Sequence, residues 1–425
     1  MQLDNDTKRL IEEEIKGCFD FFWNESNAED AEALGYGLTA DVAGRPISSL
    51  AAVGFSLAAY VIGVERGYIT FDEGYERVYK TLKTLEKVDQ YKGFFVHFVF
   101  QKTIKNVNFK EYSTIDTAIL LMGAATAGEF FGKDVKTLTD EMINKVAWED
   151  FVTTRKDRKV FKMAYSDVLW QDNNGWCPAT WHSFAEQVMM YFLYAGQKNS
   201  DKQLAQDLYF GFSRKLGSYK GENLVYCFGN ALFIHQFTGC FIDFSKYVDK
   251  RGFNWHKNSV AATLANRQFC IDQKWSKTYH ENSWGLTAFE GKHGYKVFGA
   301  PPFGFYDKEI DMPIDGSVAP YAALSSIVYT PKESIEALKY FNTLPKLKGK
   351  YGFTDSYNFE EEEYFSEAYL GIDKGPTIIM LDNFLYGTTW KYFMQSDVCK
   401  RAIEVLEFKP IESEFKEFTN GPLSK

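Results

Sequence analysis

Two neighbouring stretches decide the fold: residues 49–64, SLAAVGFSLAAYVIGV, and residues 70–88, TFDEGYERVYKTLKTLEKV. The second reads as a one-sided helix. Thr70 and Glu73 stand at capping-box spacing, and Tyr75, Val78, Leu82 and Leu85 recur on one face. The first has no polar face. Its 15-residue apolar run, Leu50 to Val64, is shorter than the roughly 20 residues a bilayer span needs. It therefore predicts a helix covered by protein on every side.

Both kinds recur along the chain. TPKESIEALKYF (330–341) is a second one-sided helix, with Thr330 as predicted cap and Pro331 at the first helical position. STIDTAILLMGAATAGEFF (113–131), SFAEQVMMYFLYAG (183–196), VAPYAALSSIV (318–328) and GPTIIMLDNFLYG (375–387) are apolar nearly all round. Alternation of the two kinds predicts an all-α toroid of two concentric layers, with about a dozen main helices and minor strands in long loops. QDNNGWCPATWH (171–182) and the stretch 290–316 are such loops. No Ser- or Pro-rich linker divides residues 1–425, so a single domain is expected.

Composition narrows the function. The net charge is −9 with no basic block, which argues against a nucleic-acid partner. Aromatic residues make up 17%, enough to fill a wide core or to line a sugar-binding groove. The six cysteines form no CxxC pair and the six histidines no HxH or HExxH pattern, so no metal or other cofactor is expected. The acidic, amphipathic N-terminus is unlike a signal peptide. Cytoplasmic residence is the default expectation; a trimmed secreted or periplasmic form would read the same way.

Three acids open apolar helices: Asp116, Glu186 and Asp373. If those helices line a toroid, their first turns open into one cavity, and paired carboxyls there suit glycoside hydrolysis. A structural reading stands beside this one. Ser113-x-x-Asp116 and Ser183-x-x-Glu186 both fit a capping box, and the helix dipole favours acids there by about 0.3–1 kcal/mol. Asp373 precedes Gly375-Pro376, which predicts a position outside the helix. A loose echo joins YGLTADVAG (36–44), WGLTAFEG (284–291) and YGFTDSYN (351–358). It predicts loops that bring an aromatic and a polar group to one rim.

YSTIDTAILLMGAATAGEFF (112–131), ENSWGLTAFEGKHGY (281–295), APYAALSSIVYTPKESIEALKYF (319–341) and YLGIDKGPTIIMLDNF (369–384) resemble the glucoamylase-like domain family. That family includes the endo-β-1,2-glucanases of glycoside hydrolase family 144 and a domain of cyclic glucan synthases. The likeness runs from about residue 10 to 408. It implies an (α/α)6 barrel, a carbohydrate cleft and an oligo- or polysaccharide substrate, most directly a β-1,2-linked glucan. The reaction it implies is inverting hydrolysis, with Glu186 as general acid and Asp373 as general base. It places Asp116 among the sugar-binding groups. Trp284, Glu281, Asp41 and Arg45, from the echoing loops and ENSWG, are expected as sugar contacts. Phe289 and Glu290 depart from the family pattern, which usually has a small polar residue and an aspartate there, and so bear on linkage. An (α/α)-barrel polysaccharide lyase or epimerase, and a carbohydrate-binding protein without catalysis, are the alternative functions.

Overall fold

The computed structural model describes residues 3–30, 32–107, 110–227, 229–302 and 314–411. Part of the predicted 290–316 loop (303–313) and both ends of the predicted 1–425 domain lie outside the described residues. The described chain is predominantly helical. Its helices are α1 (Asn5–Asn24), α2 (Leu50–Glu65), α3 (Phe71–Leu85), α4 (Thr114–Phe131), α5 (Lys133–Lys145), α6 (Val188–Ala195) and α7 (Lys202–Gly211). They continue as α8 (Phe233–Phe241), α9 (Trp255–Asp272), α10 (Pro320–Leu324), α11 (Pro331–Phe341), α12 (Gly371–Leu385), α13 (Thr388–Gln395) and α14 (Asp397–Val405). Strands occur as short antiparallel pairs in the connections.

The alternation seen in sequence is present in the packing. Helices α2, α4, α6, α8, α10 and α12 are buried nearly all round. The intervening α3, α5, α7, α9 and α11 each leave one face in solvent. Thr70 and Glu73 close the capping box that opens α3. Thr330 precedes Pro331 as expected, but its side chain caps nothing; it lies instead 3.4 Å from the Ser334 hydroxyl. Helix α12 packs against α1, α2, α8 and α10, so the acid-bearing helix is held from several sides. Each aliphatic side chain buried in this layer, such as Leu57, Ile62 or Leu121, contributes roughly 1.5–3 kcal/mol.

Two glycines set the spacing of α2 and α4. A Cβ on Gly123 would lie 1.8 Å from the Gly54 carbonyl oxygen, and one on Gly54 would lie 2.5 Å from the Leu120 Cα. Only bare backbone allows this approach. Both helices start beside the functional region, so the contact also fixes how far apart their first turns stand.

Among the described residues, no helix is long and apolar enough to cross a membrane. Four cysteines are buried (Cys18, Cys240, Cys270 and Cys399), whereas Cys177 and Cys227 are partly exposed.

Candidate active site

Helix α12 begins earlier than its proline suggests. The Leu370 carbonyl accepts the amides of Asp373 at 3.1 Å and Lys374 at 2.9 Å, which starts the helix at Gly371 and leaves Pro376 inside it. The expectation that Asp373 lies outside the helix is therefore corrected. Pro376 forfeits only its own N–H bond, and the first turn is nucleated ahead of it. Asp373 projects from that turn, 2% exposed, with the Asp355 carboxyl and the Tyr321 hydroxyl as its side-chain neighbours.

The Glu186 segment also departs from its local reading. Helix α6 starts at Val188 with Gln187 as cap, and the Ser183 hydroxyl pairs with Ser213 at 3.0 Å. The capping box through Ser183 does not form. Glu186 lies in the turn ahead of α6, tied by its carbonyl to the Thr238 hydroxyl at 3.0 Å. Trp181 Nε1, five residues earlier, donates to Thr114 Oγ1 at 2.9 Å, which joins this turn to the start of α4. Glu186 Oε2 is buried and unpartnered. Burial pushes its pKa up to about 7, with the nearby charge of Asp116 adding to the rise. That corresponds to roughly 3 kcal/mol of disfavoured ionisation, more than a helix dipole supplies. The carboxyl therefore holds its proton near neutrality, as a general acid must.

Asp116 keeps its cap and gains more. Ser113 caps α4, accepting the Asp116 amide at 3.2 Å, and its hydroxyl donates to the Asp116 carboxylate. The other Asp116 oxygen lies 3.2 Å from His97 Nε2. His97 Nδ1 faces Glu111 at 3.9 Å. Burial alone would lower the pKa of His97, but Asp116, Glu111 and Asp41 outweigh it and hold the imidazole above its usual range. Asp41 is raised by burial, opposed by Ser49, His97 and Arg45. Asp41 and Arg45 line a cavity of about 270 Å³ with Val42, Ile47, Phe98 and Val107.

Two further groups complete the region. Asp355, 6% exposed, accepts the Glu290 amide at 2.6 Å. It shares the wall of a small cavity with Asp373. Burial raises both carboxyls, and each acts on the other. Tyr295 sits on the hairpin that pairs Ala288–Gly291 with Gly294–Val297, opposite Glu290. Half of it is open to solvent, and its hydroxyl is held above the usual range by burial and by Asp373, Asp355, Asp41 and Glu186 together. One phenol thus lies within electrostatic reach of four acids from separate segments.

The structure brings Glu186, Asp373, Asp116, Asp41 and Arg45 into this neighbourhood and leaves two expected residues out. Trp284 is fully buried; Gly285 beside it packs against the start of α10, and the indole fills core instead of presenting a ring to sugar. Glu281 is exposed beside Arg267, which bonds its carbonyl at 2.9 Å, and no described contact joins it to the acids. The echoing loops deliver polar members to the region (Asp41, Glu290, Asp355), while their aromatic members Tyr36, Trp284 and Tyr351 are buried. Asp355, His97 and Tyr295 escaped the sequence reading. Asp355 lies inside the YGFTDSYN echo and Tyr295 ends ENSWGLTAFEGKHGY, so both had a signal; His97 had none. Among the described residues, no group of three His, Cys, Asp or Glu side chains is arranged to hold a metal ion.

Residues 178–397 match the family model Glycoamylase, "putative glucoamylase". The chain belongs to the glycoamylase family. The matched span holds Glu186, Tyr295, Asp355 and Asp373. A solved family structure of the same description, from Bacteroides uniformis, is 27% identical, covers 96% of this chain and 99% of its own, and has a TM-score of 0.83. The endo-β-1,2-glucanase of Chitinophaga pinensis, solved with sophorotriose and glucose, is 25% identical over 96% of this chain and 99% of its own, with a TM-score of 0.81. The exo β-1,2-glucooligosaccharide sophorohydrolase (non-reducing end) of Parabacteroides distasonis is 27% identical over 94% of this chain. This chain spans 58% of that protein's length.

Proposed function

We propose that this protein is a glycoside hydrolase that cleaves β-1,2-linked glucose oligomers or glucan by a single inverting displacement on an (α/α)6 barrel. Glu186 protonates the departing glycosidic oxygen. Asp373 takes a proton from the water that attacks the anomeric carbon. Asp116 and Asp41, with Arg45 beside them, hold sugar hydroxyls, and Tyr295 offers a partly exposed ring to a pyranose face. The six all-buried helices serve as the inner ring of the barrel.

The observation that carries this reading is Glu186: its Oε2 is buried and unpartnered, its pKa is raised to about 7 with Asp116 adding to the rise, and Tyr295 is within electrostatic reach of both Glu186 and Asp373. Groups tuned apart by burial are what acid–base hydrolysis at neutral pH needs. The names of the Chitinophaga and Parabacteroides relatives support the β-1,2 linkage.

The test is a panel of glucans and oligosaccharides of defined linkage, with products separated by chromatography and the first-formed anomer read by NMR. Cleavage of β-1,2-linked substrates with release of the α-anomer is expected, together with loss of about 10²–10⁴ in turnover for Asp373→Asn. Turnover confined to another linkage would remove the substrate assignment. Full activity in Asp373→Asn would remove the base.

A further inference from the structure

Asp355 and Asp373 reach one cavity from different parts of the chain. Its wall also includes Glu14, Tyr321, Phe353 and Lys374, and its volume of about 10 Å³ is room for about one water. Asp373 turns its carboxyl into this surrounding beside the Asp355 carboxyl and the Tyr321 hydroxyl. Asp355 is fixed: its Oδ2 accepts the Glu290 amide at 2.6 Å, and its own amide donates to the Ala368 carbonyl at 3.1 Å. A Lys374–Glu14 pair braces the region from behind. Lys374 Nζ lies 3.1 Å from Glu14 and 2.6 Å from the Phe353 carbonyl.

We propose that Asp355 and Asp373 form a carboxyl dyad that holds one proton between them, with Asp373 the catalytic base and Asp355 a positioning residue that orients it. This rests on the hydrolase reading above. Two carboxyls that share a nearly dry space do not both ionise; one keeps a proton and donates it to the other. The resulting O–H···O⁻ bond is short and directional. The Glu290 amide and the Lys374 charge favour ionised Asp355, and the Tyr321 hydroxyl favours ionised Asp373, but burial outweighs them at both sites. Lys374 from α12 is already paired to Glu14 of α1. Glu290 and Tyr295 from the hairpin, Tyr321 from α10 and Asp41 from the loop before α2 contribute acids or neutral phenols. Burial holds both aspartates above the ordinary carboxylate range; Asp355 raises Asp373 further, whereas the hydrogen bond between them lowers Asp355.

In the reaction the water oxygen bonds to the anomeric carbon and its proton passes to Asp373, leaving the dyad neutral. The electron pair of the breaking C–O bond goes to the leaving oxygen, which takes the Glu186 proton. Between turnovers the dyad loses one proton to solvent and Glu186 regains one.

Infrared difference spectroscopy of the carboxylic C=O stretch tests the shared proton without substrate. At about pH 8 Glu186 is largely ionised, its pKa being about 7. Wild type is then expected to retain a buried carboxylic-acid band that Asp355→Asn and Asp373→Asn each remove. On β-1,2-linked oligosaccharides, Asp355→Asn is expected to shift the acid limb of kcat/KM upward by about one pH unit or more, because the shared proton no longer stabilises the Asp373 carboxylate. Its kcat should fall roughly 10–100-fold, because the base is no longer held in line with the water. A purely structural Asp355 would lower the melting temperature and leave that limb in place. Absence of the band in wild type, or an unmoved acid limb in a folded Asp355→Asn, overturns the dyad. If Asp355→Asn does not fold, Asp355→Glu and Asp373→Asn carry the same comparison. A band that is present in a protein that hydrolyses none of the panel keeps the shared proton and removes the hydrolase reading instead.

Discussion

Replacing Glu186 by Gln is expected to disable the enzyme and stabilise it at the same time, at high pH only. A carboxyl whose folded pKa is raised from 4.5 to about 7 binds its proton more tightly when folded than when unfolded. Its contribution is fully present below about pH 4.5 and is lost as pH rises through about 7. Above that, wild type carries an ionised carboxylate whose Oε2 is buried without a partner, at a cost of about 3 kcal/mol, which the neutral amide avoids. For a chain of 425 residues, with an unfolding entropy near 2.1 cal/mol/K per residue, about 3 kcal/mol moves Tm by roughly 3–4 °C. The assay is calorimetric melting of both proteins from about pH 4.5 to 8.5, alongside turnover, which should fall at least about 10²-fold. Relative to its offset from wild type at acid pH, Glu186→Gln should gain those degrees at the alkaline end. Parallel melting curves across the whole range would show that Glu186 is not forced into a desolvated site, and its assignment as the acid would fall with that.

Replacing His97 by Gln should show the opposite dependence. The imidazole is held above its usual pKa, so its stabilising charge is present below about pH 6.5 and lost as pH rises through its folded value; the destabilisation read by urea melts should shrink toward alkaline pH. Tyr295→Ala, which removes a half-exposed ring above the acids, should raise KM for oligosaccharides several-fold while changing kcat less, and a pure kcat loss would deny it a stacking role. Gly352→Ala should cost more than about 2 kcal/mol in a denaturant melt, because Gly352 has φ +80° and a Cβ there would lie 2.3 Å from the Glu14 carboxyl; a neutral result would mean that Glu14 can turn away without loss.

The layered helices were legible because burial on all sides leaves a mark on composition. A run such as Leu50–Val64 has no polar face for solvent to meet, whatever lies around it. Asp116 and Glu186 were legible as acids at the starts of such runs, although Ser113 caps as its spacing predicts and Ser183 does not. Pro376 misplaced the start of α12, because a proline marks where a helix can begin and says nothing of a carbonyl six residues earlier. Trp284 was expected at a surface because Gly and polar residues surround it in sequence; the α10 packing that buries it is not local. His97 and Asp355 take their character from partners far along the chain, Asp116 and Asp373, and no short window contains both members of either pair.

The Glu14–Lys374 contact joins residues 360 positions apart. Helix α1 is synthesised long before α12, and its buried carboxylate has no cation until α12 emerges. At about 5–20 residues per second that interval is roughly 20–70 s. During it, the segment carrying Asp355 has no brace behind it, and the base has not been made. Chains halted between the end of α10 and Asp373 would contain the acid Glu186 and most of the apolar helices and still be inert. Activity therefore arrives only after synthesis has passed Lys374, which makes turnover a direct report that α12 has closed on α1.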